Sequence, residues 1–160
     1  MSDPNIFEPE WETPAGWPLR GARVAHAAGA SELGVTVYEL PQGSAISPYH
    51  VHYGNEELLI VLSGTPTVRT PDGSRVVEPG AVVSFPRGPD GAHRVSNEAE
   101  KPARVLLVST MHFPEIAEHV STGTILTMTA PGQGKAYPAG ADRPIEELYS
   151  AAMERDSSTS

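Results

Sequence analysis

The sequence predicts an all-β protein, and two observations carry that reading. Between residues 34 and 109, short runs rich in Val, Ile, Thr, Tyr and Phe follow one another, split by Gly, Pro, Asn or Asp. Roughly eight runs recur at ~8–12-residue spacing, the rhythm of a sandwich or barrel and not of βαβ units. Fifteen Gly and 16 Pro supply the turns such a fold needs, at a share below the ~25–30% that marks disorder. At 160 residues the chain suits one domain with a single core.

Residues 1–22 read as an extended arm. Prolines at 4, 9, 14 and 18 forbid a regular helix or a central strand there. Trp11 and Trp17 are expected to pack on the barrel, in preference to a neighbouring subunit. Residues 23–112 form the barrel. Val35–Leu40 opens it, with Val35, Val37 and Glu39 on one face and Thr36, Tyr38 and Leu40 on the other. Ala45–Val51, Glu57–Leu62, Thr65–Thr70, Ser74–Glu78, Ala81–Phe85, His93–Ser96 and Ala103–Ser109 follow as strands. Pro71-Asp72-Gly73 is the hairpin turn between two of them.

Residues 113–160 are a C-terminal extension. Pro114–His119 reads as a single helical turn and Thr122–Thr129 as an added edge strand. Asp142 is an N-cap candidate with Pro144 in the first turn, and Ile145, Leu148, Tyr149, Ala152 and Met153 then repeat at helical spacing. That stripe predicts a short helix covering the barrel or a partner. Asp156–Ser160 reads as a disordered tail.

Composition excludes several functions. Twenty acids against 11 bases give a net charge of −9, with no Lys/Arg cluster, so neither nucleic acid nor an anionic membrane is an expected partner. No cysteine is present, which removes disulfides, thiolate ligands and Cys nucleophiles. The opening MSDPNIFEPEWE lacks the basic and apolar regions of a signal peptide, and no apolar run approaches ~18 residues. A soluble, cytoplasmic protein is expected.

The chemistry concentrates in PYHVHYGNEELLIVLSG (Pro48 to Gly64) and PGAVVSFPRGPDGAHRVSN (Pro79 to Asn97). Strand periodicity puts His50 and His52 on one face. Glu57, opening the next strand antiparallel to the first, is expected opposite them, and His93 arrives from a further strand. A lone strand His is usually a hydrogen-bonded or exposed residue, and a lone Glu is usually solvated. Two histidines on one apolar-flanked face, with an inward carboxylate and a third His, instead predict a metal site, because an uncompensated buried carboxylate is costly. Glu56 is the alternative carboxylate, placed by parity on the solvent face.

These two segments resemble the paired motifs of the cupin superfamily, G-x5-H-x-H-x3–4-E-x6-G and G-x5-P-x-G-x2-H-x3-N. His50, His52, Glu57 and Gly64 match the first; Gly80, Pro86, Gly88, His93 and Asn97 match the second. Gly43 lies six residues before His50, and four separate Gly88 from His93, so both departures fall in loops. The whole chain is similar to small single-domain bacterial cupins in its Asn5 to Trp11 opening, Gly34, the FPRGPDGAH loop and the C-terminal extension. The resemblance implies a double-stranded β-helix (jelly-roll) barrel and a homodimer.

Gly64, Gly80 and Gly88 sit where turns need permissive backbone, and Pro86 stiffens the loop before His93. Tyr38, Tyr49, Phe85 and Arg87 are candidate mouth or pocket residues. Asn97 is a loop residue or a hydrogen-bonder to a ligand. Leu59 and Val61 share Glu57's face. His26, His112 and His119 follow no ligand spacing and read as surface or packing residues.

Three nitrogens and one oxygen do not suit Mg²⁺ or Ca²⁺. One divalent transition metal is expected: Mn, Fe, Ni, Co or Zn. A six-coordinate ion would keep two positions for a small oxygen-rich substrate. The functional expectation is metal-assisted chemistry of dioxygenase, decarboxylase or isomerase type. The alternative is a non-catalytic small-ligand-binding or sensing protein. A fused transcription regulator is disfavoured because no helix-turn-helix pattern precedes the barrel, and a metal-free epimerase-type barrel because the full ligand set is present.

Overall fold

The computed structural model describes residues 3–12, 16–140 and 143–149. In chain order the strands are β1 (Arg20–Ala22), β2 (Leu33–Leu40), β3 (Ser44–Ala45), β4 (His50–His52), β5 (Glu57–Ser63), β6 (Thr67–Thr70) and β7 (Gly73–Val76). Then come β8 (Val82–Phe85), β9 (Arg94–Asn97), β10 (Ala103–Thr110), β11 (Glu115–His119), β12 (Thr124–Ala130) and β13 (Gln133–Tyr137). Helical structure among the described residues is confined to α1 (Val24–Ala27), a 3-10 turn at Pro89–Gly91 and residues 145–149.

The strands form an all-β jelly roll. One antiparallel sheet runs β1-β2-β10-β5-β8; two others run β3-β9-β6-β7 and β13-β12-β11-β4. The latter two join where His50 and His93 form an antiparallel bridge, with backbone N–H···O bonds of 2.8 and 3.0 Å. Period-two burial along β5 turns Glu57, Leu59 and Val61 inward. Leu40, Leu59, Val61, Val83, Phe85 and Val105 of the five-stranded sheet meet Val68 and Val95 of the facing sheet in one core.

The arm closes the outer face of the five-stranded sheet. β1 pairs with β2, and Ala22, Val24 and Val37 bury there against Ile6 and Trp11. The Trp11 ring takes the Arg20 and Arg104 guanidinium groups at 4.4 and 5.1 Å, a cation–π arrangement. Trp17, by contrast, is 52% exposed.

Three expectations are corrected. Pro114–His119 is not a helical turn: Glu115 and Ala117 alternate inward along β11, which pairs with β4 and β12. Pairing on both sides fixes its conformation, overriding local preference. The strand read from Thr122–Thr129 is β12, and it is internal, because β13 supplies the edge. The stripe at 145–149 does not cover the barrel: Ile145, Leu148 and Tyr149 are exposed. Asp142, Ala152, Met153 and Asp156–Ser160 lie outside the described residues. No described helix is long and apolar enough to cross a membrane.

Leu59 is fully buried between the sheets, so Leu59→Ala is expected to lower stability by about 2–5 kcal/mol. A urea midpoint unchanged from that of the unsubstituted chain would contradict this packing.

Candidate metal centre

His50 and His52 lie on β4, whose partners are β11 and the bridge residue His93. Glu57 does not face them across a hairpin, as expected from the sequence. It belongs to the five-stranded sheet, where β5 pairs with β10 and β8. Its carboxylate reaches the histidines across the barrel interior. The turn at 53–56 changes sheets and does not return a paired strand.

Backbone contacts fix the three imidazoles relative to one another. Gly88 N–H donates to His52 O at 2.7 Å, tying the loop that carries His93 to the strand that carries His52. The loop doubles back tightly at Gly91, where a Cβ would lie 1.6 Å from Pro86 O. Gly91 O in turn accepts from His93 Nδ1 at 2.9 Å. Phe85 stacks flat on the His93 ring, with centroids 3.7 Å apart.

These contacts dictate where the protons sit. A carbonyl can only accept, so His93 Nδ1 carries hydrogen and Nε2 carries a lone pair. His50 Nδ1–H is likewise directed at Pro48 O and Ser47 Oγ, both at 2.9 Å, which leaves Nε2 bare. His52 Nδ1 lies 3.7 Å from Glu115 Oε1, where a lone pair would be repelled, so the proton belongs on Nδ1. All three Nε2 atoms then present lone pairs to the same interior.

The spacing fits a cation. His50 Nε2 is 3.0 Å from His52 Nε2, and Glu57 Oε2 is 3.5 Å from His52 Nε2 and 3.1 Å from His93 Nε2. Bonds of ~2.1 Å place neighbouring ligand atoms about 3.0 Å apart in an octahedron and about 3.4 Å apart in a tetrahedron. His50, His52 and Glu57 gather their ligand atoms within 4.8 Å of one another. His93 joins through Glu57 and through its ring, 4.4 Å from that of His50. Glu57 Oε2 is buried without a hydrogen-bond partner. Lone pairs facing a carboxylate with no proton between them are what a divalent ion resolves.

Glu115 is the residue sequence reasoning missed. It shares the inward face of β11 with Ala117, which pairs with His52. Only 2% exposed, it accepts from Gly54 N–H at 3.2 Å and from the Asn55 amide. Asn55 is held by Thr110 Oγ1 and His112 N–H, at 3.1 and 2.7 Å. A period-two reading of residues 115–119 would have turned Glu115 inward; the helical reading hid it.

The other candidates divide. Tyr38 lies in the walls of both cavities at the cluster. Phe85 backs His93. Tyr49 packs under the Arg69 guanidinium at 4.1 Å, and Arg87 donates to His112 Nδ1 at 2.9 Å. Neither lies in those walls. Asn97, fully buried, donates to Leu40 O and Lys101 O and so staples a turn. Glu56 faces solvent. A cavity of about 220 Å³ touches Tyr38, Ser47, His50, Glu57 and His93 under Trp17. A larger one of about 560 Å³ shares Tyr38, Glu57 and Leu107 with it.

Burial, then the neighbouring His93 and His52 rings, lowers His50 to about 4. Burial alone would raise Glu57, but the surrounding imidazoles, where they are protonated, outweigh it and hold the carboxyl below its ordinary range. Burial and then the Glu57 carboxylate push the Tyr38 phenol up, so it stays protonated.

A depressed folded-state pKa means that the unfolded chain binds more protons. The metal-free protein is therefore expected to hold the His50 contribution in full above pH ~6.5 and to lose it as pH falls towards the folded value, with Glu57 adding to the loss below its ordinary range. Thermal melts in chelator between pH 7.5 and 4.5 would show a falling midpoint; a flat profile, or an unchanged slope in His50→Leu, would contradict the assignment.

The comparisons with known proteins agree with the fold. A family model described as "Cupin domain" matches residues 36–109. A sugar phosphate isomerase of the cupin superfamily from Silicibacter pomeroyi is 24% identical, with 81% of this chain and 82% of that one covered at a TM-score of 0.72. A putative sugar phosphate isomerase from Acidithiobacillus ferrooxidans is 21% identical over 79% and 80%, also at 0.72. A polyketide cyclase from Streptomyces resistomycificus is 22% identical over 69% and 79%, at 0.57. No curated protein is matched.

Proposed function

We infer that this chain, which belongs to the cupin superfamily, is a metal-dependent enzyme acting on a small oxygen-bearing molecule. His50, His52, Glu57 and His93 would hold one divalent transition-metal ion. The observation that carries this reading is the convergence of three bare Nε2 atoms and Glu57 Oε2 at coordination-shell spacing. Bound there, the ion would polarise a chelated carbonyl or hydroxyl oxygen.

The chain's own residues do the rest. The His93 loop and the Phe85 stack fix one side of the shell, and the Glu115 carboxylate orients His52 from behind. Tyr38, kept as a neutral phenol beside Glu57, is the group placed to donate a proton or hydrogen bond to substrate. Isomerisation of a sugar and cyclisation of a polyketide, the activities named for the neighbours, are both chemistry of a carbonyl and its adjacent carbon. That favours the isomerase type of chemistry, proton transfer next to a carbonyl, among the types considered.

Purified protein is expected to carry about one transition-metal ion per chain, and His50→Ala or His93→Ala to lose it. Glu115→Gln is expected to weaken metal binding about 10–100-fold without unfolding the chain. Elemental analysis finding no metal, even after reconstitution, would refute the site.

The reaction class is tested in D₂O by NMR with metal-loaded protein and a panel of diketones, hydroxyketones and sugars. Deuterium should enter the carbon beside the carbonyl, and Tyr38→Phe should slow that entry about 10-fold or more while keeping the metal. Binding without exchange would make the chain a ligand-binding protein instead.

A further inference from the structure

The two cavities at the metal centre have walls whose chemistry selects among oxygen-bearing substrates. Resting on the metal reading above, we propose that the substrate is an uncharged molecule with an apolar body, and not a phosphorylated sugar.

The apolar wall is built on the inward faces of strands flanking Glu57. Leu107 of β10 lies in both cavities. Met111 extends the same wall over Gly34, where a Cβ would lie 2.7 Å from Met111 Sδ, so glycine is what leaves that space to the thioether. Ile46 and Val95 line the smaller cavity, and Leu33 and Pro131 the mouth of the larger. Such a surface gains from covering carbon, not from meeting a solvated polyol.

The polar groups point the same way. Thr36, Tyr38, Ser31 and Ser109 offer neutral hydroxyls, suited to carbonyl and hydroxyl oxygens. A phosphate dianion needs guanidinium, ammonium or clustered backbone donors. Among the described residues, apart from the candidate ligands His50 and His93, the basic side chains in these walls are Arg23 and His26, both exposed. Arg23 is already committed to the Glu12 carboxylate, at 3.1 and 3.4 Å. The net charge of −9 adds repulsion for a dianion. The smaller cavity has no Lys or Arg in its wall.

Two matched pairs of probes test the proposal on the cobalt-loaded protein, read by the cobalt absorption band and by titration calorimetry. Tropolone and 4-isopropyltropolone chelate through the same two oxygens and differ only in an apolar group. The isopropyl compound is expected to bind about 10-fold tighter. That gain should fall to under about threefold in Met111→Gln, and in Leu107→Asn as a second lever, with cobalt content unchanged. Ribose and ribose 5-phosphate form the other pair, and the phosphate is expected to bring no gain. A ribose 5-phosphate that binds about 10-fold or more tighter than ribose overturns the proposal and leaves the metal centre standing. So does an isopropyl group that brings no gain. A protein that retains no cobalt overturns both readings.

Discussion

Three imidazole lone pairs and a carboxylate converge inside the barrel, and the surrounding structure is arranged around holding them there. Nδ1 is turned outward to a backbone acceptor in His93 (Gly91 O) and His50 (Pro48 O), and in His52 it lies 3.7 Å from the Glu115 carboxylate. That choice empties every Nε2 towards the centre. Left without a cation, the arrangement strands Glu57 Oε2 without a hydrogen bond, a burial that is unfavourable by itself. The stability of the metal-free chain and its expected metal affinity are therefore two sides of one arrangement.

Holding four candidate ligands to a few tenths of an ångström requires that they not sit on one flexible loop. Glu57 comes from one sheet and His50 and His52 from the facing one, while His93 sits on the bridge that joins two sheets. The hydrophobic core between the sheets therefore sets the Glu57-to-histidine distance. Backbone bonds from Gly88 to His52 and between His50 and His93 set the histidine-to-histidine distances. β11 adds Glu115 from behind the site, so the C-terminal strands are part of the centre's support and not an appendage to the barrel.

Likeness of fold and likeness of substrate separate here. The neighbours at a TM-score of 0.72 bear the name sugar phosphate isomerase, yet the cavity walls carry one guanidinium, and it is paired. A barrel of this kind fixes where a metal goes; the residues facing the mouth fix what comes to it. Leu107, Tyr38 and Thr36 alternate with outer-face positions on β10 and β2, and Met111 follows β10. Such wall positions can change without disturbing the ligands.

The spacing of His50, His52, Glu57 and His93 and the alternation around them were enough to indicate the all-β class, the barrel and the candidate ligands. They are local or period-two signals, and strand geometry converts them directly into faces. The tertiary structure decided what depends on which strands pair. Glu57 and the histidines sit on facing sheets and not across a hairpin, and residues 115–119 are a strand and not a helical turn. It also showed that Asn97 staples a turn while Glu115 stands behind His52. Pairing partners are chosen by contacts between residues some sixty positions apart, as between Asn55 and Glu115. No local pattern encodes that choice, because it is made by the core that closes between the sheets.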